Sequence, residues 1–272
     1  MFKNYTQLIC SSVTTNINLR KKSAMSSKMV WSRFESMGKN GKLHKLRIQD
    51  LPSTRISDAL DLFTKYFIRD EALCKASDIR NSPTAVKNLS DYYNHTLHDP
   101  SCHKVICCSD DTDDVEDIMS VSVMRRYTDE ITKIHSKHYS RVQMLNSPEK
   151  LDLNRMKFLK MIYEMETLFD PVKEYKLDVY YGDVGAVIAP PYRGLGIIDQ
   201  YSKIRRMICE AHKVPMTGAW MTAHATQRAA AVDGWETVRE IAFDYFAKKY
   251  DVTFTNTPPT LKLMIGRATT SS

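Results

Sequence analysis

Apolar residues recur along the chain with two periods. Ile56, Leu60, Phe63 and Phe67 lie at helical spacing behind a break at Leu51-Pro52-Ser53, with Ala59 and Leu62 beside them, and they predict an amphipathic helix. Ser82-Pro83 reads as an N-cap followed by proline in the first turn. It opens a second helix with Val86, Leu89, Tyr93 and Leu97 on one face. Met156, Leu159, Ile162, Tyr163 and Phe169 outline a third, from about Leu153 to Phe169, which Asp170-Pro171 ends. Ile197, Tyr201, Ile204 and Ile208 predict a fourth. Thr222 to Val232 is an Ala-rich, helix-permissive run stopped by Asp233-Gly234. The β-prone stretches are His44–Gln49, Lys104–Cys108, Ile118–Met124, the run through Val184, Ala186, Val187 and Ile188, Thr217–Met221, and Thr237–Tyr245. The tail packs through Val252, Phe254 and Leu261-Lys262-Leu263-Met264. Strands interleaved with helices in this order predict an α/β protein with a mixed sheet.

One junction in this pattern carries chemistry. Between the run ending at Ile188 and the helix carrying Tyr201 lies Pro190-Pro191-Tyr192-Arg193-Gly194-Leu195-Gly196-Ile197-Ile198. The first N–H groups of a helix have no partner inside it and favour an anion, typically a phosphate. Gly194 and Gly196 allow a tight turn and a close ligand approach, and Arg193 adds a permanent cation. A lone R-G-x-G is weak evidence, because glycines open many helices for turn reasons alone.

Charge and cysteines narrow the field. The formal net charge is +7, but residues 1–34 hold Lys3, Arg20, Lys21, Lys22, Lys28 and Arg33 and no Asp or Glu. The rest of the chain is therefore close to neutral, which argues against a general basic groove for nucleic acid. Residues 1–40 are expected to lie outside the folded domain, as a disordered extension or a mitochondrial targeting segment, with the domain over 41–272. The six cysteines form no C-x-x-C pair and no zinc-like spacing, which predicts reduced thiols in the cytoplasm and no metal. No apolar run approaches the roughly 18–20 residues of a membrane span. The acidic run Asp110–Asp117 lacks the glycine and closing glutamate of a calcium loop and reads as a solvated hairpin tip. Residues 127–153 are polar, with His135, His138 and Tyr139; two histidines without a third ligand are weak evidence for a metal.

The junction resembles the acetyl-CoA motif of the GCN5-related N-acetyltransferase superfamily, Gln/Arg-x-x-Gly-x-Gly/Ala. Arg193, Gly196 and Ile198 fall on its three defined positions, with Val187, Pro190, Tyr192, Gly194 and Ile197 matching around them. Ile198 stands where the family has a small residue. Phe67-x-x-x-Glu71-x-Leu73 and Thr222-Ala223-His224-Ala225-Thr226, followed by Gly234-Trp235, are similar to segments of the insect arylalkylamine (dopamine-type) branch. The resemblance covers roughly residues 44 to 265. It implies that superfamily's fold, a twisted and mostly antiparallel mixed sheet flanked by helices, and acetyl transfer from acetyl-CoA to a small primary amine in a ternary complex. It assigns the cofactor pyrophosphate to Arg193, Gly194, Leu195, Gly196, Ile197 and Ile198, and an oxyanion donor to the N–H of Val187 or Ile188. It assigns the general base to Glu71, and a hydroxyl near the leaving thiolate to Thr222 or Thr226. Many relatives place a tyrosine where this chain has Ala230. The alternative reading is an acyl-CoA-binding module without turnover.

Overall fold

The computed structural model describes residues 29–128 and 152–268. His135, His138, Tyr139 and residues 1–28 lie outside them. The described chain forms an eight-stranded sheet in the order β1-β2-β3-β4-β5-β6-β8-β7. The strands are β1 (Val30–Met37), β2 (Leu43–Asp50), β3 (Cys102–Ser109), β4 (Ser120–Thr128), β5 (Val179–Ile188), β6 (Met216–Met221), β7 (Glu236–Ala242) and β8 (Thr260–Arg267). Neighbours are antiparallel except β5 and β6, which are parallel. The helices are α1 (Ile56–Leu62), continued through a π turn at Phe63–Phe67 into α2 (Ile68–Asp70), then α3 (Ala72–Ala76), α4 (Pro83–His98), α5 (Leu153–Thr167), α6 (Pro171–Glu174), α7 (Ile197–Ala211), α8 (His224–Val232) and α9 (Phe243–Tyr250).

Alternation along the strands divides the core between the two faces. Val105 and Cys107 of β3 join Leu46, Ile48 and Tyr181 beneath the α7 stripe of Ile197, Tyr201, Ile204 and Ile208. Cys102 and Ile106 turn the other way and pack with Val121, Val123 and Val187 against Ala59, Phe63, Tyr93 and Leu97. A further cluster joins α2, α3, α5 and α9 through Ile68, Leu73, Phe158, Met161 and Phe246. The result is helix, sheet, helix in three layers. None of the helices among the described residues is long and apolar enough to cross a membrane.

Three expectations are corrected. Val30–Met37 lies inside the stretch expected to extend beyond the domain, yet it pairs along its length with β2, and Trp31 and Phe34 pack on the core. The folded part therefore begins about ten residues earlier than residue 41. The strand expected over Thr237–Tyr245 stops at Ala242 and gives way to α9, because burying Phe243 and Phe246 while Tyr245 faces solvent requires helical spacing. The acidic tip is clamped as well as solvated: its exposed side chains surround carbonyls of Thr112, Asp113 and Asp114 that accept from Arg47, and of Val115 and Glu116 that accept from Arg55.

The π turn fixes where the first helical segment ends. Phe63 stacks on Tyr93 with ring centroids 4.3 Å apart, and Phe67 meets the same ring edge-on at 5.4 Å. Both phenylalanines lie against Gly185 of β5, where a Cβ would stand 3.1 Å from Phe67 and 3.3 Å from Phe63. Gly185 also has φ +151°, which side-chain-bearing residues rarely adopt. Gly185→Ala is expected to destabilise the protein by about 1–3 kcal/mol through overpacking, read as a lower midpoint in urea unfolding.

Candidate active site

The parallel strands β5 and β6 pair at only two positions, Tyr181↔Thr217 and Gly182↔Gly218. Beyond them β5 continues against β4 as far as Ile188, and β6 continues against β8 as far as Met221. The facing edges therefore diverge and leave a gap between Asp183–Ile188 and Ala219–Met221. Val184 is an extra residue in β5, since Gly185 pairs with Val123 while Asp183 pairs with Met124. Such a bulge bends its strand. The ladder also decides which backbone groups face the gap. Ala189 donates to the carbonyl of Met119 at 3.0 Å, so by alternation Val187 is turned toward Val121 of β4. The N–H and C=O of Ile188 and Ala186 point the other way, into the gap. Of the two expected oxyanion donors, Ile188 has the required direction. Val187 is directed into the ladder and its side chain into the core.

Above the gap the chain turns into α7. Gly194 and Gly196 have φ of +87° and +72°, and Gly196 is the N-cap, with no side chain capping the helix. Asp199 in the first turn is neutralised by Arg228 at 2.8 Å. Leu195 and Ile197 are buried in the core and Ile198 packs against the same cluster. The isoleucine in the small-residue position is thus part of the packing. The Arg193 guanidinium is not free. Its Nε donates to the Ile188 carbonyl at 3.1 Å and its Nη2 to Asp70 at 2.6 Å. The loop's own groups available to an anion are backbone N–H groups.

Asp70 and Glu71 together span the mouth of the gap. Asp70 reaches the end of β5 through Arg193, while Glu71 accepts a hydrogen bond at 3.1 Å from Thr222, the residue immediately after β6. Glu71 also caps α3, its Oε2 accepting from the Cys74 N–H at 2.8 Å. The two carboxylates titrate in opposite directions. Hydrogen bonding to Arg69 and then Arg193 pulls Asp70 down to about 2. Burial pushes Glu71 above its ordinary 4.5, against the opposing hydrogen bonds from backbone N–H groups and Thr222. Thr226 is not drawn to this pair; its hydroxyl donates to the Ala223 carbonyl at 2.9 Å. Ala230 is fully buried against Trp235, Ala219 and Met221, so that position offers no acid.

No family model matches the sequence, and no curated protein does. Solved structures do. A protein of the yellow fever mosquito described as an arylalkylamine N-acetyltransferase 7 superposes with a TM-score of 0.70 at 20% identity, over 89% of this chain and 96% of that one. Arylalkylamine N-acetyltransferase 2 of Aedes aegypti gives 0.66 at 20% identity, over 82% and 99%. The polyamine N-acetyltransferase of Drosophila melanogaster gives 0.60 at 8% identity, over the same shares, 82% and 99%. The chain has the GCN5-related N-acetyltransferase fold. In this acetyltransferase fold the expected residues fall into two groups. Ile188, Arg193, Gly194 and Gly196 meet at the open end of β5, and Glu71 and Thr222 meet at the open end of β6. Asp70, which joins the groups, went unread because Arg69-Asp70-Glu71 looks like an ordinary charged helix end.

The packing of Ile198 settles what its removal does. Ile198→Gly is expected to cost about 1–3 kcal/mol through lost burial and backbone freedom. The measurement is the unfolding midpoint in urea, and an unchanged or higher midpoint would contradict the packing role.

Proposed function

We propose that the protein transfers an acetyl group from acetyl-CoA to a small primary amine, with an arylalkylamine such as dopamine, serotonin or tryptamine as the substrate class. The observation that carries this reading is Glu71, a half-buried carboxylate with a raised pKa, at the mouth of a gap whose β5 edge presents the Ile188 N–H. The uncapped glycine turn at the start of α7 suits a pyrophosphate, and the unpaired strand edges suit an amide-bearing chain such as that of CoA. The names of the similar structures add weight for amine acetylation. The buried thiols at Cys74, Cys102, Cys107 and Cys209 support a reducing compartment such as the cytoplasm.

Acetyl-CoA supplies the acyl group as a thioester. Glu71 takes the proton that the ammonium must lose before its nitrogen can attack, directly or through a water. The Ile188 N–H donates to the carbonyl oxygen as negative charge builds there. Thr222 passes a proton on: it gives its hydroxyl hydrogen to the departing sulfur and recovers one from Glu71, while the attacking nitrogen releases its second proton to water, so both groups return to their starting states. Thr226 serves as the alternative donor once it releases Ala223.

Free thiol measured after incubation with acetyl-CoA and an amine panel tests this. Amine-dependent release is expected, and Glu71→Gln should lower kcat/KM by about 10²–10⁴-fold. No release with any amine would overturn the reading. The pH profile carries a sign. Glu71 acts as a base only when ionised, so the acid limb of kcat/KM should lie above 4.5. Thr222→Val removes a hydrogen bond that favours the carboxylate, so the limb should move further up.

A second reading, an acyl-CoA-binding module without turnover, is favoured by one observation, the packed Ala230 where relatives carry an acidic tyrosine. Tight CoA binding with no thiol release on any amine would select it.

A further inference from the structure

The point where β5 and β6 part is occupied by one side chain. Arg205 of α7 is buried, with 6% of its surface exposed. Its Nε and Nη2 donate to Thr217 Oγ1 at 3.2 and 2.9 Å, and Nη2 also donates to the Gly218 carbonyl at 3.1 Å. Its Nη1 donates to Asp183 Oδ1. The guanidinium lies 5.5 Å from the centre of the Trp235 ring. Thr217 and Gly218 are the paired residues of β6, and Asp183 is the first residue of β5 beyond the last pair. A single rigid cation therefore ties both strands at the fork.

We propose that Arg205 is a positioning residue that holds the gap open and sets its width. This role rests on the reading of the gap as the acetyl-CoA site. Two strand edges with free N–H and C=O groups tend to pair. The bulge at Val184 bends β5 away, and the guanidinium pins the Asp183 carboxylate and the Gly218 carbonyl to each other's neighbourhood at the last pair, where the two strands part. Only a planar group with divergent donors reaches Asp183, Thr217 and Gly218 together; a lysine ammonium is a single point. Stability alone does not account for such a group. Replacing a buried ion pair by residues of similar volume is often neutral or stabilising, whereas removing one partner is costly. The distinctive product of this pair is geometry.

The same logic supplies the experiment. Arg205→Met/Asp183→Asn removes both charges at nearly constant volume. It is expected to melt within a few degrees of the wild-type protein. It should also bind CoA about 10–100-fold more weakly, because a small misplacement of a binding edge is costly. Arg205→Lys, which keeps a cation beside Asp183 but cannot span the fork, should lose CoA affinity similarly and serves if the double variant does not fold. Hydrogen exchange at the Ala186 amide reports the gap without any ligand, and it should slow by about tenfold in either variant as the ladder extends. A folded variant with wild-type CoA affinity overturns the role. If the wild-type protein binds no CoA, the proposed function fails by itself. The Ala186 exchange then decides Arg205, and an unchanged rate overturns it.

Discussion

A parallel strand pair that stops after two residues is the constraint around which this molecule is arranged. A backbone N–H or C=O left unpaired and shielded from water costs about 1–3 kcal/mol, and β5 and β6 leave several facing one another. The structure tolerates this because each strand keeps its other neighbour: β5 stays paired with β4 to Ile188 and β6 with β8 to Met221. The bulge at Val184 bends one edge, α7 crosses from one strand to the other, and its glycine turn lies over the open end. The protein thereby holds back hydrogen-bonding capacity in place, available to a guest with amide groups of its own.

Charge is arranged around the same opening. Asp70 and Glu71 are adjacent in sequence but differ in surroundings. Arg69 and Arg193 hold Asp70 ionised far into acid, so its charge is committed to holding the loop arginine. Among the described residues no cation pairs with Glu71; backbone N–H groups and Thr222 stabilise its charge only in part against burial. Two carboxylates with divergent proton affinities, one structural and one chemically available, follow from neighbours alone. The break after Asp70 produces this division, since Glu71 adopts an extended backbone as the cap of α3 and its side chain leaves the surface that Asp70 occupies.

Much of the fold was legible because strong periodicity and packing agree. The α7 stripe and the run from Val184 to Ile188 lie where their spacing placed them, and Gly234 ends α8 as expected. The failures have physical causes. In β1, Trp31 and Phe34 are separated by Ser32 and Arg33 and embedded in an acid-free stretch, so composition outweighed a strand held mainly by its partner β2. At the other end, Ile241, Phe243 and Tyr245 alternate like a strand, and only the burial of Phe246 reveals the helix. At the site, the glycine turn and Glu71 were readable from residue type and spacing. The engagement of Arg193 by Asp70, the direction of the Ile188 N–H and the placing of Arg205 were not. Each depends on a contact between residues distant in the chain or on the register of a neighbouring strand, and Arg205 beside Ile204 reads as the polar flank of an ordinary amphipathic helix.

The strand order carries a consequence for how the chain assembles. The last strand, β8, lies between β6 and β7, so β7 reaches the sheet only through residues that follow it. Until Thr260–Arg267 has emerged from the ribosome, the outer edge of β6 is bare and β7 has no partner. Folding of this half must therefore wait until Thr260–Arg267 has been made, and a chain that stopped short of that strand would carry an exposed, association-prone edge.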